Sequence, residues 1–266
     1  MELYNFNQHI ETIFNFNRDE ELTEEENENL SKICIIVINV KKSIKRRDTI
    51  LKWIRDLGMS TCIFDAVDGT VLQLHTTECN PLVKVMEYKG NYFLLDYTRH
   101  FDHDFRGELS TGMIGDSLSH ILLYSLLQFQ HNFKHFLIME DDASLIQDVK
   151  FVRKYLANLP NQFDLAFLNS ESKWYPIELT DKINDYYSNI KRQFLNASVS
   201  YVISKTGAAK LLAYCRHDVT RPPDDLVSNP HAMGLYTIIA SNQFLFGCDY
   251  SFESDTEKFS QNFKNE

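Results

Sequence analysis

The stretch His135-Phe136-Leu137-Ile138-Met139-Glu140-Asp141-Asp142-Ala143 decides how the chain is read. Its short apolar run predicts a strand buried on both faces, and three adjacent carboxylates follow at once. In an open α/β sheet, the C-terminal end of a parallel strand faces the crevice where ligands bind. Three neighbouring acids repel one another unless water or a cation neutralises them. Hard divalent ions such as Mg²⁺ or Mn²⁺ favour carboxylate oxygens. The competing reading is a solvated strand-to-loop junction.

Upstream, Ile33-Cys34-Ile35-Ile36-Val37-Ile38 is a second continuous apolar run, ending at Asn39. Ser43 is placed to cap a helix whose apolar positions Ile50, Trp53, Ile54 and Leu57 recur at helical spacing, with Gly58 as its stop. Thr61-Cys62-Ile63-Phe64 reads as the next strand, closed by the acidic turn Asp65-Ala66-Val67-Asp68-Gly69. Strand, helix and strand in this order make a βαβ unit and a parallel sheet. Residues 92–95 read as a strand and residues 100–108 as a loop. Ser110-Thr111-Gly112 then opens a helix with Ile114, Leu118, Ile121, Leu122, Ser125, Leu126 and Phe129 on its buried face.

Downstream, the pattern predicts a strand at 163–169, an exposed excursion over 170–195 and an alternating strand at 199–203. A helix at 205–214 follows, then a sharp break at Arg221-Pro222-Pro223-Asp224-Asp225, a late strand at 244–246 and a frayed polar tail. This divides the chain into an acidic N-terminal extension (1–32), a main α/β domain (33–255) and a tail (256–266). The aromatics Tyr4, Phe6, Phe14 and Phe16 predict that the extension docks, on the main domain or on a second subunit.

A chain of 266 residues, 44% hydrophobic, is long enough for one large core. With 37 acidic and 27 basic side chains the net charge is −10, which argues against a nucleic-acid partner, because phosphate contacts need a basic surface. Five scattered cysteines without a CxxC pair suit free thiols in a reducing compartment rather than a zinc knuckle or a disulfide framework. Neither a signal-peptide layout nor a membrane-length apolar run is present. The expectation is a cytoplasmic protein, at most peripheral to an inner membrane.

Four polar constellations fall at predicted strand ends or helix starts. Asn39 with Lys41, Lys42, Lys45, Arg46 and Arg47 suits a phosphate or diphosphate; an ordinary basic helix face is the rival. Asp65 to Gly69 suits ribose hydroxyls or a base N–H; the rival is a glycine turn capped by aspartate. Gly112 and Gly115 permit close ligand approach, with Ser119 and His120 one turn on, although a lone histidine in an apolar helix is commonly a core residue. Asp224-Asp225, in a loop fixed by two prolines, suits a general base; the rival is a helix start. No Gly-x-Ser-x-Gly, Walker loop or GxGxxG occurs, which weighs against serine hydrolases, P-loop NTPases and classical dehydrogenases.

In their order and spacing these segments resemble glycosyltransferase family 25, which includes lipooligosaccharide galactosyl- and glucosyltransferases and, more distantly, collagen galactosyltransferases. The matching stretches are Val37-Ile38-Asn39-Val40 with Arg46-Arg47, Phe64 to Gly69, Gly112-Met113-Ile114-Gly115 with Leu118-Ser119-His120, and Leu137 to Ala143. Tyr201 to Ser204 with Gly207-Ala208, and Asp224-Asp225, match more loosely. The resemblance implies a GT-A-like α/β fold with a mixed, mainly parallel sheet flanked by helices. It also implies a UDP-hexose donor (galactose or glucose), a glycan or glycolipid acceptor and a Mn²⁺ or Mg²⁺ cofactor. By analogy Glu140 and Asp142 hold the metal, and Asn39, Arg46, Arg47, Asp65, Asp68, Gly69, Gly115, Ser119, His120 and Asp141 line the nucleotide-sugar site. Asp224, Asp225 and, in reserve, Asp116 are the candidates for the base of an inverting transfer. Two departures stand out: the family usually has Glu where this chain has Met113, and Cys where it has Asp116. A catalytically weak carbohydrate- or protein-binding relative and a metal-dependent phosphohydrolase are the rival functions.

Overall fold

The structure is a computed structural model that describes residues 10–76, 83–88, 91–96, 110–168, 177–195, 199–215 and 221–252. Its first elements are β1 (Ile10–Phe14), α1 (Glu24–Ser31), β2 (Ile33–Asn39), α2 (Ile44–Ile54) and β3 (Thr61–Asp65). A meander of β4 (Gln73–Thr76), β5 (Val83–Tyr88) and β6 (Asn91–Asp96) follows, and then α3 (Thr111–Phe129), β7 (His135–Glu140), β8 (Ala143–Leu145) and α4 (Val149–Ala157). The remainder is β9 (Leu165–Phe167), β10 (Leu179–Lys182), β11 (Tyr187–Ile190), β12 (Ser200–Ser204), α5 (Lys205–Cys215), α6 (Pro223–Ala232), β13 (Ile238–Ser241) and β14 (Phe246–Cys248).

A nine-stranded sheet in the order β1-β3-β2-β7-β12-β9-β13-β11-β10 forms the centre. Alternate side chains leave a strand on opposite faces, and β2 shows the consequence. Cys34, Ile36 and Ile38 enter the core beneath α3, α5 and α6, while Ile33, Ile35 and Val37 enter the core beneath α2 and α4. β7 does the same, with Phe136 and Ile138 on one side and Leu137 and Met139 on the other. This is why both strands read as unbroken apolar runs. The pairings place β2, β3, β7, β9, β10 and β13 in one direction and β1, β11 and β12 in the other. The sheet is thus mixed and mainly co-directional, with helices on both faces, as the GT-A-like expectation required.

From β2 the chain crosses through α2 to β3 on one side, and after α3 it arrives at β7 on the other. Strand order therefore reverses beside β2, and the crevice at such a reversal is the usual ligand position. Asn39 ends β2, Asp65 ends β3 and Glu140 ends β7, so the three meet along this rim.

Several expectations are corrected. The excursion at 170–195 is not wholly exposed, because β11 pairs with β13 inside the sheet and buries Tyr187 and Ile190. β12 was expected to alternate, but it lies between β7 and β9 and is buried along its whole length. β13, four residues long, was not foreseen, and the late strand falls at β14 rather than at 244–246. Phe129, expected on the buried face of α3, is 56% exposed at the helix end. Ser43 precedes α2, but its side chain makes no cap hydrogen bond. Asp224 and Asp225 lie in the first turn of α6 behind Pro223, not in a loop. The expected loop at 100–108, Asn169, Tyr4, Phe6 and the polar tail lie outside the described residues.

The acidic extension docks on the main sheet. β1 runs antiparallel to β3, and α1 starts on a reciprocal capping box between Thr23 and Glu26. Arg153 of α4, almost fully buried, pairs with Asp19 at 3.0 Å and donates to the carbonyl oxygens of Asn17 (3.1 Å) and Leu57. Phe14 and Phe16 pack against the core on that face.

Candidate active site

The acidic corner is built at the ends of β2 and β7. Asp141, just past β7, accepts from Asn39 Nδ2 at 2.7 Å and from Arg46 Nη1 at 2.7 Å. Arg46 comes from the first turn of α2, and its Nη2 lies 3.7 Å from Asp142. Residues far apart in sequence are thus pinned by one guanidinium, whose planar fork suits two carboxylates. Burial raises Asp141 from its usual value to about 6, against the pull of Arg46 and Asn39, and burial also raises Asp142. Asp142 Oδ1 is buried without a hydrogen-bond partner among the described residues. The segment after β14 closes over this corner: Asp249 N donates to the Asp142 carbonyl at 2.7 Å, and the Phe252 ring lies 5.6 Å from the Arg46 guanidinium carbon.

Facing it from the opposite helix layer are Asp116 and His120, one turn apart on α3. Ligand atoms of Asp116, His120 and Glu140 lie within 4.8 Å of one another. His120 is fully buried, and its Nε2, 3.6 Å from Asp116 Oδ1, has no hydrogen-bond partner among the described residues. Burial lowers His120 to about 3, so its ring is neutral. Burial raises Asp116 to about 7, and the charges of Asp224, Asp142 and Asp141 push the same way. An orphaned buried nitrogen and a crowded set of carboxylates fit a divalent cation, so the chemistry of the expected cofactor agrees with the residues present. The cluster differs in membership from the Glu140–Asp142 pair expected from the motif. It keeps Glu140, adds Asp116 and His120, and leaves Asp142 beside Arg46.

The raised value of Asp116 carries a prediction. Because the folded protein holds this proton more tightly than the unfolded chain does, ionised Asp116 penalises the fold. The penalty is absent below about pH 4, grows towards pH 7 and is complete above it. Asp116→Asn should therefore stabilise the cation-free protein at pH 8 by about 1–2 kcal/mol, discounted because its side chain keeps 24% exposure. The gain should shrink at pH 5. Urea unfolding of both proteins at the two pH values checks it.

The other expected residues fall into two groups. Asp65 and Asp68 line a cleft of about 390 Å³ with Val40, Lys41, Lys42 and Ala66, and Asn39 and Arg47 border a smaller one of about 140 Å³ beside Asp65. Asp68, despite the opposing effect of burial, is held below its usual value by hydrogen bonds from Lys42 (2.8 Å) and Thr70. Gly69, Gly115 and Ser119 instead hold α3 against the acidic turn. A Cβ on Gly115 would sit 2.5 Å from the Val67 carbonyl, and one on Gly69 would sit 2.3 Å from the Thr111 carbonyl. Ser119 Oγ accepts from Val67 N at 2.9 Å and donates to the Gly115 carbonyl at 2.8 Å. The close approach these glycines permit is that of the protein's own backbone. Asp224, in the first turn of α6, is near enough to act on Asp116 and Tyr124 through its charge. Tyr124 on α3, Tyr201 on β12 and Phe252 after β14 were not foreseen as site residues, although Tyr201 lies in a stretch that matches the family loosely; each reads as an ordinary aromatic in sequence and gains its place only through tertiary packing.

A family described as "Glycosyltransferase family 25 (LPS biosynthesis protein)" matches residues 32–227. A Drosophila melanogaster protein named "Glycosyltransferase 25 family member" is 27% identical over 208 residues, covering 76% of this chain. The chain spans 31% of that relative's length. The matched residues run from the start of β2 into α6 and include every side chain of the acidic corner from Asn39 to Asp224. The chain belongs to glycosyltransferase family 25.

Proposed function

We propose that the protein transfers a hexose, galactose or glucose, from a UDP-sugar to a hydroxyl of a glycan or glycolipid acceptor, with inversion and with a divalent metal. The observation that carries this reading is the meeting of Asp116, His120, Glu140, Asp142 and Asp224 beside the Arg46 guanidinium at the strand-order reversal. Membership of a family described as LPS biosynthesis proteins supports a lipooligosaccharide-type acceptor. Glu140 with Asp142 or Asp116 would hold a divalent ion, which would supply charge neutralisation for the departing diphosphate.

The chain's own residues do the rest. Asp65 and Asp68 receive the nucleoside in the adjoining cleft, while Lys41, Lys42 and Arg47 face its diphosphate. Asp224 takes the acceptor hydroxyl proton as that oxygen bonds to the sugar C1. The C1–O bond to the diphosphate breaks on the opposite face, UDP leaves with the electron pair, and the anomeric configuration inverts. Asp224 is preferred to Asp225 because its charge reaches Asp116. Met113 packs against the apolar core, so the carboxylate lost there is offset by Asp116 one turn along.

A donor screen tests the reading. UDP-hexose turnover should depend on Mn²⁺ and on an acceptor, and should fall by about three orders of magnitude in a folded Asp142→Asn variant. Phosphate release that ignores the acceptor would instead mark a phosphohydrolase. A protein with no metal-dependent UDP affinity would be a binding relative of the family.

A further inference from the structure

His120 Nδ1 lies 2.6 Å from the Tyr201 hydroxyl, which lies 2.8 Å from the Tyr124 hydroxyl. All three side chains are fully buried, and the His120 and Tyr201 rings stack with centroids 5.9 Å apart. The chain of hydroxyls ends on one ring nitrogen, and the other, which has no hydrogen-bond partner among the described residues, lies 3.6 Å from Asp116 in the cluster that also holds Glu140. A core histidine held only for packing has no reason to satisfy one ring nitrogen and to leave the other without a partner among the described residues in a buried acidic corner. Metal-bound histidines show this pattern: the nitrogen away from the ion donates to a fixed acceptor, which sets the tautomer and aims the lone pair. The spacing also fits. Donors about 2.1 Å from one ion lie about 3 Å apart when adjacent and about 4.2 Å apart when opposite. The observed 3.6 Å and the 4.8 Å limit on the cluster approach this range with small side-chain movements.

We infer that His120 is a nitrogen ligand of the divalent ion, with Asp116 and Glu140 completing the set, and that Tyr201, backed by Tyr124, is the positioning residue that fixes its tautomer. This rests on the proposed metal-dependent reading but deepens it: the motif carboxylates alone make an all-oxygen site, whereas an imidazole in the set changes which ion is preferred. Mg²⁺ and Ca²⁺ favour oxygen ligands, and one nitrogen shifts preference towards transition ions such as Mn²⁺. In the free protein Nδ1 either donates to or accepts from Tyr201; on ion binding it becomes the donor, and the Tyr201 proton turns towards Tyr124.

The test uses the full chain with Mn²⁺ alone, read by pulsed electron paramagnetic resonance and by calorimetry. The wild-type complex should show the nitrogen modulation of a directly bound imidazole and bind Mn²⁺ at least tenfold more tightly than Mg²⁺. His120→Gln should lose the modulation. Tyr201→Phe, which keeps the ring, should lower the unfolding midpoint of the metal-free protein, because His120 Nδ1 and the Tyr124 hydroxyl lose their partner, and, measured well below that midpoint, should weaken Mn²⁺ binding by about 10–100-fold. Mn²⁺ bound without nitrogen modulation in the wild type would overturn the assignment, whatever the variants do, and would leave the transferase reading standing. Mn²⁺ bound with modulation in a protein that turns over no UDP-hexose would do the reverse. Equal affinity in wild type and Tyr201→Phe would remove the positioning role.

Discussion

An Arg46→Met variant is expected to lose about 3–5 kcal/mol of folding stability at pH 8, because removing one partner of a buried ion pair leaves uncompensated charge behind. Arg46 is 13% exposed, and its partners Asp141 and Asp142 are 8% and 17% exposed, so water is poorly placed to take over. Burial pushes Asp141 up to about 6 even with the guanidinium present, and without it both carboxylates should rise further. A folded pKa above the unfolded one means that stability is lost as pH climbs from the unfolded value to the folded one. The deficit should therefore be largest above pH 7 and shrink towards pH 4, where both acids are protonated. Urea unfolding across that range checks it. A deficit that does not change with pH would assign Arg46's contribution to its packing under Phe252 instead. Lysine should rescue only partly, since it cannot span both carboxylates as a planar fork does.

Asp224→Asn is expected to slow transfer by about 10²–10⁴-fold, the usual worth of a positioned base. Donor affinity should stay within a few-fold, because in the proposed mechanism Asp224 acts on the acceptor hydroxyl and not on the nucleotide. Initial rates at saturating donor, set beside calorimetric UDP titration, separate the two quantities. Asp225→Asn should lose much less, as the neighbouring position on the α6 turn points about 100° away. Equal losses in the two variants would move the base elsewhere, with Asp116 the next residue to test.

The two halves of the sheet were unequally legible in the sequence. β2, β3 and β7 are continuous apolar runs because each is buried on both faces, and α2 and α3 carry helical spacing with clear ends at Gly58 and Ser110. β11 has the sequence Tyr-Ser-Asn-Ile and β13 is four residues long, so neither has a local signal that outweighs its surroundings. Both exist because β9 offers β13 a partner and β13 offers β11 one in turn. The chemistry followed the same rule. The motif gave the acids at 140–142, but their division of labour depended on partners from about 20 to about 100 residues away. Arg46 claims Asp141, while Glu140 faces Asp116 and His120 across the layer. Asp224 suits both a proline-fixed loop and a helix N-cap in the sequence, and the structure decides for the helix, with Pro223 as its favourable first residue and Asp224 one position inside.

The antiparallel contact of β1 with β3 has a practical consequence. Residues 10–14 seal one margin of the great sheet, and a register irregularity between Thr12 and Phe14 bends that margin away from further pairing. The segment shared with the family starts only at residue 32 and stops at 227, ahead of β13. Expressed on those limits, the fragment would present bare amide rows both beside β3 and along β9, two surfaces on which copies of the chain would readily stack into aggregates.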